Sequence, residues 1–351
     1  MKHLFHLFLI SIVPFTSFGQ IIIGGNNPND FISTALSSPN VSISNVSYTG
    51  YNGAICYFSA NVQNMPFTSG LLMTTGAVHL AKGPNNDPSI YLDNSFPGYS
   101  PLNTTLGGVS THNAAVISFD VVPNGDTLKI RYILGSEEYP EYVGSQFVDG
   151  MAIYISGPGI SGTQNIARLP DGIIISVNNV NNGTYGPAPG VIPIGPVNPQ
   201  YFAANGNGNQ APYNTSDSYL QYDGLTVPLI AKSKVTPNET YHIVIAIADA
   251  GDGIFDSGVF IEEGGITAGL GESNLDNFVS VFYDPSNQQA IIQVTEHQDN
   301  LTYSVVDLSG KTIVNSPITE TTTLDLSNYS SGMYLITVES ANGKISKKII
   351  R

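Results

Sequence analysis

Short runs of β-branched and aromatic residues recur along most of the chain, separated by turn residues. Residues 114–122, 126–135 and 240–249 are examples, and runs of this length between turns predict β-strands. Residues 243–248 lack strict polar alternation, which predicts a strand buried on both faces. Residues 20–263 are therefore expected to form a large all-β domain, a jelly-roll or lectin-like β-sandwich, with one short helix near residues 30–37.

The pattern changes after residue 263. Residues 264–274 are rich in glycine and have no hydrophobic period, which predicts a linker. Residues 275–351 then return to short strands, which predicts a small immunoglobulin-like β-sandwich at the C-terminus. The strands predicted there are residues 278–283, 290–295, 301–307, 322–326, 333–339 and 345–350.

Two segments stand apart from this pattern. Residues 1–19 have a basic Lys2, an apolar stretch, and the small residues Ser17 and Gly19 before a cleavage point, which predicts a secretory signal peptide. Pro14 interrupts the apolar stretch, so a transmembrane helix is not expected there or elsewhere. Residues 181–212 are rich in Gly, Pro and Asn and predict a long loop, either functional or mobile.

The net charge of the chain excludes some classes of binding partner. The chain has 27 acidic and 12 basic residues, with a net charge of −15. Nucleic acids and anionic membrane surfaces attract clustered Lys and Arg, so neither is an expected partner.

Cys56 is the single cysteine and has no partner within the chain. An intermolecular bridge is possible, but its strand-like neighbours favour a small buried hydrophobic residue.

The last 75 or so residues contain an ordered series of motifs, at residues 284–287, 306–311, 324–327, 331–334 and 347–350. In these motifs, residues 275–351 resemble the type A C-terminal sorting domain of type IX secretion substrates from the Bacteroidota. This resemblance implies that the tail directs a folded protein from the periplasm across the outer membrane, through the type IX secretion machinery, and is then removed.

The large domain contains a second series of motifs, which includes residues 44–50, 69–76, 81–85, 135–139, 155–160, 247–252 and 256–260. In these motifs, about residues 29–263 resemble the choice-of-anchor L family, whose members pair one extracellular domain with different anchors. The resemblance implies a secreted or surface location but no particular activity.

Two acidic loops each follow a predicted strand and are candidates for a metal site. Converging loops of Asp, Glu and backbone carbonyl groups supply the six to eight hard oxygen ligands that Ca²⁺ prefers. Like charges this close would repel unless a cation neutralised them, so one shared Ca²⁺ site is expected. Its predicted ligands are Glu137, Glu138, Asp149, Asp249, Asp252 and Asp256. In the alternative, Asp249 and Asp256 cap turns while the glutamates lie in water.

These acids also allow a catalytic hypothesis. Glu137 with Asp149 or Asp252 could form the carboxylate pair of a glycosidase. Nucleophile-elbow and zinc-protease motifs are missing, and His242, within a predicted strand, is expected to be structural. The expected function is a non-enzymatic, exported protein whose Ca²⁺-supported domain adheres to or binds a surface glycan or protein. The alternatives are a secreted glycan hydrolase and a purely structural surface module.

Overall fold

The computed structural model describes residues 21–24, 28–60, 65–188, 190–205, 220–269, 279–284, 287–294, 301–318, 320–340 and 343–351. The predicted signal peptide and residues 270–274 of the predicted linker lie outside these ranges. The chain divides into a larger unit, which includes Leu128–Ala268 and the residues up to Asn124, and a smaller unit, which consists of Gly125–Thr127 and Gly269–Arg351.

Thirteen strands are described in the larger unit. They are β1 (Ile21–Gly24), β2 (Val41–Thr49), β3 (Ile55–Ala60), β4 (Ser69–Thr74), β5 (Thr111–Pro123), β6 (Thr127–Ser136), β7 (Gly150–Ser156), β8 (Gln164–Asn165), β9 (Phe202–Ala204), β10 (Gly224–Thr226), β11 (Leu229–Lys234), β12 (Tyr241–Ala250) and β13 (Ser257–Gly269). The described helices of this unit are α1 (Pro28–Leu36), α2 (Ser100–Thr105) and four 3₁₀ turns, Asn52–Ala54, Val78–Ala81, Val177–Asn179 and Pro199–Tyr201.

These strands form two sheets. An eight-stranded sheet has the order β1-β3-β4-β13-β6-β10-β9, with β11 paired to β6, and a five-stranded sheet has the order β2-β5-β12-β7-β8. Met73 and Val259 of the first sheet and Ile117 and Ile245 of the second belong to one buried cluster. The sheets therefore pack face to face, and the predicted all-β sandwich is confirmed.

Strand β12 explains why residues 243–248 lack polar alternation. It pairs with β5 on one side and β7 on the other, and every residue from 245 to 250 is buried. His242 lies at the exposed beginning of this strand, where its Nδ1 is 2.8 Å from Asp120 Oδ1. It is a surface partner of Asp120 and not the interior residue that its strand context suggested.

A β-bulge interrupts the pairing of β5 with β12. Ile247 lies opposite Ala115, whereas Asp249 lies opposite His112, so β5 contains one more residue than β12 across this interval. Asn113, within the bulge, has a left-handed φ of 52°. Asn tolerates this conformation better than most residues. The bulge places Asn113 beside Asp249.

The predicted linker begins too early. Residues 264–269 continue strand β13, and Ile266 and Ala268 are fully or almost fully buried. The glycines among these residues obscure the hydrophobic pattern, because a glycine in a strand has no side chain to contribute to it.

The segment of residues 181–212 is less irregular than predicted. Asn181 and Val197 exchange backbone hydrogen bonds of 2.9 and 3.2 Å, and β9 pairs with β10. The ring of Phe202 packs 4.9 Å from that of Tyr139. Much of this segment up to residue 205 is therefore held against the sandwich, and residues 206–212 lie outside the described chain.

The smaller unit contains seven described strands: β14 (Val279–Asp284), β15 (Gln289–Val294), β16 (Thr302–Asp307), β17 (Thr312–Pro317), β18 (Thr322–Asp325), β19 (Met333–Ser340) and β20 (Gly343–Ile350). They form a three-stranded sheet, β14-β15-β18, and a four-stranded sheet, β17-β16-β19-β20. Val281, Ile292, Val305 and Ile336 share a separate buried core. Only β17 was not among the six predicted strands, because its residues are largely exposed and lack a clear pattern.

Cys56 lies in β3 and is 1% exposed. Burial raises the pKa of its thiol to about 12, so it behaves as the predicted buried hydrophobic residue. Within the described ranges, no helix has both the length and the apolar character needed to cross a bilayer.

Candidate functional site

Acidic residues lie at the positions where the alternating hydrophobic pattern of the core strands ends. Asp249 follows the core residue Ile247 by two positions, and Asp149 precedes the core residue Met151 by two. Because side chains two positions apart point to the same face of a strand, both aspartates continue the inner face of the five-stranded sheet. Both are buried, with at most 1% of their surface exposed.

The first set of acids, here the Asp249 group, consists of Glu138, Asp149, Asp249 and Asp252. Asp149 Oδ1 accepts a hydrogen bond from the Ala250 N–H at 2.9 Å, and its Oδ2 lies 2.7 Å from Ser257 Oγ. Asn113 Nδ2 donates to Asp249 Oδ2 at 3.0 Å. In contrast, Asp249 Oδ1, Asn113 Oδ1 and Glu138 Oε2 are buried without a hydrogen-bond partner.

The second set, here the Asp223 group, consists of Glu137, Asp223 and Asp256. Asn85 Nδ2 donates to Asp223 Oδ1 at 2.6 Å, and the Leu92 N–H donates to Asp256 Oδ1 at 3.0 Å. The other oxygens of these two aspartates have no partner. Glu137 is the extreme case, because it is 1% exposed and neither of its buried carboxylate oxygens makes a hydrogen bond of good geometry, although the Ile90 N–H is close enough to lower its pKa.

Burial raises the pKa of every carboxyl group in the two sets, and repulsion from nearby carboxylates raises it further for all of them except Asp252. Burial is the largest cause for each group. Repulsion from Asp223 and Asp256 also raises the pKa of Glu137, and repulsion from Asp149 and Asp252 also raises the pKa of Glu138. The pKa of Asp223 rises to about 9, and those of Asp149 and Asp256 to about 7. The pKa values of Asp249 and Asp252 are also raised, mainly by burial. These carboxyl groups therefore hold protons more tightly than exposed carboxyl groups do.

Gly76 makes room for one of these carboxylates. A Cβ atom added to Gly76 would overlap the carboxylate of Asp256. Its backbone φ is not in the left-handed region, so the requirement for glycine here is one of space. The Thr74-Thr75-Gly76 segment also contacts the same loop, since the Thr75 N–H donates to the Ser257 carbonyl at 2.9 Å.

The six predicted ligands belong to these two groups, which are close enough that Asp256 repels both Asp149 and Asp249. No three His, Cys, Asp or Glu side chains of the described ranges are already arranged to hold one ion. The alternative, with the glutamates in water, is wrong because Glu137 and Glu138 are buried. Asp252 caps a turn, because its Oδ1 accepts a hydrogen bond from the Ile254 N–H at 3.2 Å.

Asp223, Asn85 and Asn113 were missed by sequence reasoning. Asp223 precedes Gly224 and follows a Gly/Asn-rich stretch, so the pair has the composition of an ordinary turn. Asn85 lies in a similar Pro-Asn-Asn-Asp segment. Asn113 carried the one usable signal, because it is a polar residue at the start of an otherwise apolar strand, where bulges occur.

Comparison with known proteins gives two family matches. Residues 24–267 match the Choice-of-anchor L domain, and residues 280–351 match the secretion system C-terminal sorting domain. No curated protein matches the chain significantly.

Similar solved structures are distant. An immunoglobulin-like β-sandwich protein of the DUF3244 family from Bacteroides vulgatus is 16% identical, covering 22% of this chain and 86% of that one, with a TM-score of 0.20. The adhesin domain of Epf from Streptococcus pyogenes is 9% identical (68% and 75% covered, TM-score 0.18). A β-D-glucuronidase of Dictyoglomus thermophilum is 6% identical (90% and 44% covered, TM-score 0.27), so the chain spans less than half of that enzyme. These similarities are too low to support a functional argument.

Proposed function

Since the chain belongs to the Choice-of-anchor L domain family and ends in a secretion system C-terminal sorting domain, we propose that its larger unit is a Ca²⁺-supported module for adhesion or ligand binding outside the cell. The protein is secreted or lies on the outer surface, and its sorting domain implies export through the type IX secretion machinery. In this proposal, the two acidic groups hold the cation, and the loops that carry them are stabilised by it.

The proposal is carried by Glu137, whose buried carboxylate oxygens make no hydrogen bond of good geometry and whose pKa is raised despite the nearby Ile90 N–H. An ionised carboxylate without partners in a protein interior costs several kcal/mol or more, so it either takes up a proton or is neutralised by a cation. Asp223 and Asp256 add like charge to the same place. A divalent cation would remove the repulsion among all three side chains at once.

Calcium fits the chemistry of the available atoms. It binds carboxylate, amide and backbone carbonyl oxygens with flexible geometry, and extracellular sites have Kd values on the order of 10⁻⁴–10⁻³ M. The unpaired oxygens are those of Glu137, Glu138, Asn113, Asp223, Asp249 and Asp256. Because three acidic side chains do not yet converge, binding would draw them together and tighten the connected loops.

Thermal unfolding of the protein in Ca²⁺ and in EDTA tests this proposal. With a Kd on the order of 10⁻⁴ M and about 10 mM Ca²⁺, linkage predicts about 2.7 kcal/mol of stabilisation. For a domain of this size, Tm would rise by about 5–10 °C. Calorimetric titration with Ca²⁺ measures binding directly.

Two variants make the test specific. Glu137→Gln keeps the shape of the side chain but removes its charge, so it is expected to reduce the Ca²⁺-induced rise in Tm. Glu239 is exposed, and Glu239→Gln is the matched control that should keep the full rise. An equal Tm of the unsubstituted protein in Ca²⁺ and EDTA, together with no heat of binding, would exclude a calcium site.

The glycan-hydrolase hypothesis requires a carboxyl group that touches its substrate. Glu137 and Glu138 are each 1% exposed, which is poorly suited to contact with a polysaccharide. Release of reducing sugar from a polysaccharide, lost in Glu138→Gln, would nevertheless establish hydrolysis and replace the binding function proposed above.

A further inference from the structure

Two grooves on the larger unit meet at Arg168. The first, of about 610 Å³, covers Tyr154 and Val244 beside helix α2. These residues alternate with Ile153 and Ile245 of the core, so the groove lies on the face of the five-stranded sheet that points away from the core. The second groove, of about 520 Å³, extends past Tyr201 to strand β11.

Asn165 and Arg168 line both grooves, so the grooves are adjacent, and together they are here called the Arg168 groove. Each part has a volume typical of ligand-binding pockets. Two adjacent grooves suit a chain molecule better than a single small ligand.

The charge of the Arg168 groove is opposite to that of the domain around it. Residues 20–270 contain 18 acidic and 6 basic residues, and two of these six, Arg168 and Lys232, line the groove. Neither lining includes an Asp or Glu among the described residues. Asp120 is nearby, but its carboxylate is bound by His242 and Asn45 at 2.8 and 2.7 Å. An anionic ligand is therefore favoured in this groove and repelled elsewhere.

Arg168 is held in place for such a ligand. Its Nε donates to the Asn165 carbonyl at 3.0 Å, and its Nη1 donates to the Gly172 carbonyl at 2.7 Å. These bonds orient the guanidinium and do not use Nη2, whose N–H groups suit an acidic oxygen. Arg168 is exposed, so Nη2 is the donor that the guanidinium offers to a ligand in the groove.

The rest of the first groove suits sugar rings. The rings of Tyr99 and Tyr154 lie 6.4 Å apart, and aromatic faces pack well against the C–H faces of sugars. Thr104, Ser156 and Thr163 add hydroxyl groups to the lining, and these can both donate to and accept from sugar hydroxyls. The lining therefore combines aromatic, hydroxyl and cationic groups.

From this combination we infer that the Arg168 groove binds an anionic polysaccharide. Arg168 holds an acidic group of one sugar, while the half-buried Tyr99, backed by the buried ring of Tyr154, contacts a neighbouring sugar ring. The inference rests on the ligand-binding part of the proposed function and names its ligand class, but it does not require bound calcium.

Binding of hyaluronan oligosaccharides, followed by calorimetry at low salt, tests this inference. Their uronate groups supply the acid, and dextran oligosaccharides of similar length are the neutral comparison. We expect saturable binding of hyaluronan, weaker binding of dextran, and loss of affinity as NaCl is added. Absence of hyaluronan binding, or equal binding of dextran, would overturn the inference.

Substitutions locate the site. Arg168→Gln is expected to weaken hyaluronan binding about tenfold or more, because it removes a charge-assisted hydrogen bond. Tyr99→Ala is expected to weaken binding without changing its salt dependence. Lys82→Gln and Tyr51→Ala make the same changes outside the groove and should leave affinity unaltered. Unchanged affinity in Arg168→Gln would refute the assignment.

The same titrations in Ca²⁺ and in EDTA separate this inference from the calcium proposal. A failed calcium site would appear as an unchanged Tm while hyaluronan still binds. A failed groove would appear as a normal Ca²⁺-induced rise in Tm with hyaluronan affinity that is absent or insensitive to Arg168→Gln. Tm values of all variants show whether each remains folded.

Discussion

Replacing Asp223 by Asn should stabilise the protein when no cation is present. Asp223 is fully buried, and burial together with repulsion from Glu141 and Asp87 raises its pKa to about 9. In the unfolded chain the pKa of an aspartate is about 3.9. Its contribution to stability is therefore fully present below about pH 4 and is lost progressively as the pH rises toward 9.

The size of the effect follows from these two pKa values. At pH 7 the folded carboxyl is protonated and the unfolded one is ionised, and each pH unit above 3.9 corresponds to about 1.4 kcal/mol, giving about 4 kcal/mol lost relative to a neutral side chain. In the Asp223→Asn variant the new amide oxygen would still accept the hydrogen bond from Asn85, while unpaired amide N–H groups would cost about 1–3 kcal/mol. The expected net gain is thus about 1–3 kcal/mol, or a rise in Tm on the order of 5 °C.

The assay is thermal unfolding at pH 7 in EDTA and in Ca²⁺. Asp223→Asn should have the higher Tm in EDTA and the smaller Ca²⁺-induced rise, because it removes both the repulsion and a ligand. Asp171 is exposed, and Asp171→Asn removes the same charge while keeping an acceptor for the Ile173 N–H, so neither Tm should change by much. A lower Tm of Asp223→Asn in EDTA would refute the reasoning, since it would show that the ionised carboxylate is stabilised in the unloaded protein.

In EDTA, the free energy of unfolding measured in urea should increase as the pH falls from about 7 toward 4, because the pKa values of Asp149 and Asp256 are raised to about 7. The increase should be about 1.4 kcal/mol per pH unit for each extra proton that the folded state binds. A steady decrease in stability over this pH range would contradict the prediction. The Ca²⁺-induced gain should shrink over the same range, as protons compete for the carboxylates. Gly76→Ala should weaken Ca²⁺ binding in a calorimetric titration by displacing the carboxylate of Asp256, whereas Gly107→Ala, where no atom lies near the added Cβ, should not. Arg351→Ala should lower the free energy of unfolding of the smaller unit in urea by about 1–3 kcal/mol, because Arg351 donates hydrogen bonds to the side chain of Gln288 and to the carbonyls of Tyr329 and Ser327. An unchanged urea midpoint would show that these hydrogen bonds contribute little.

Elements whose residues carry their own signal could be predicted from the sequence. The apolar run of residues 243–248 predicted a strand buried on both faces, and β12 lies between β5 and β7. The two acidic loops were found because each directly follows such a strand. A strand and its polar end are local properties, and local patterns report them well.

What the sequence could not provide was the pairing of distant segments. Asn85 and Asp223 are far apart in the chain and meet only through the fold. The burial of Glu137 and Glu138 was also hidden, since a Ser-Glu-Glu-Tyr segment has the composition of an exposed turn. Glycines concealed the strand at residues 264–269 for a related reason, because burial there depends on what the neighbouring strands cover.

The bulge at Asn113 has a consequence for how this site can vary. Side chains of a strand alternate between its two faces, and one extra residue reverses this alternation. The positions before and after Asn113 therefore follow different inward and outward patterns. Loops that bring in Asp223 or Asp256 can lengthen or shorten while the strands remain as they are. An insertion or deletion within β5, however, would exchange inward and outward residues along one side of the bulge and separate Asn113 from Asp249. The acidic site should therefore tolerate changes in loop length and be intolerant of changes in strand length.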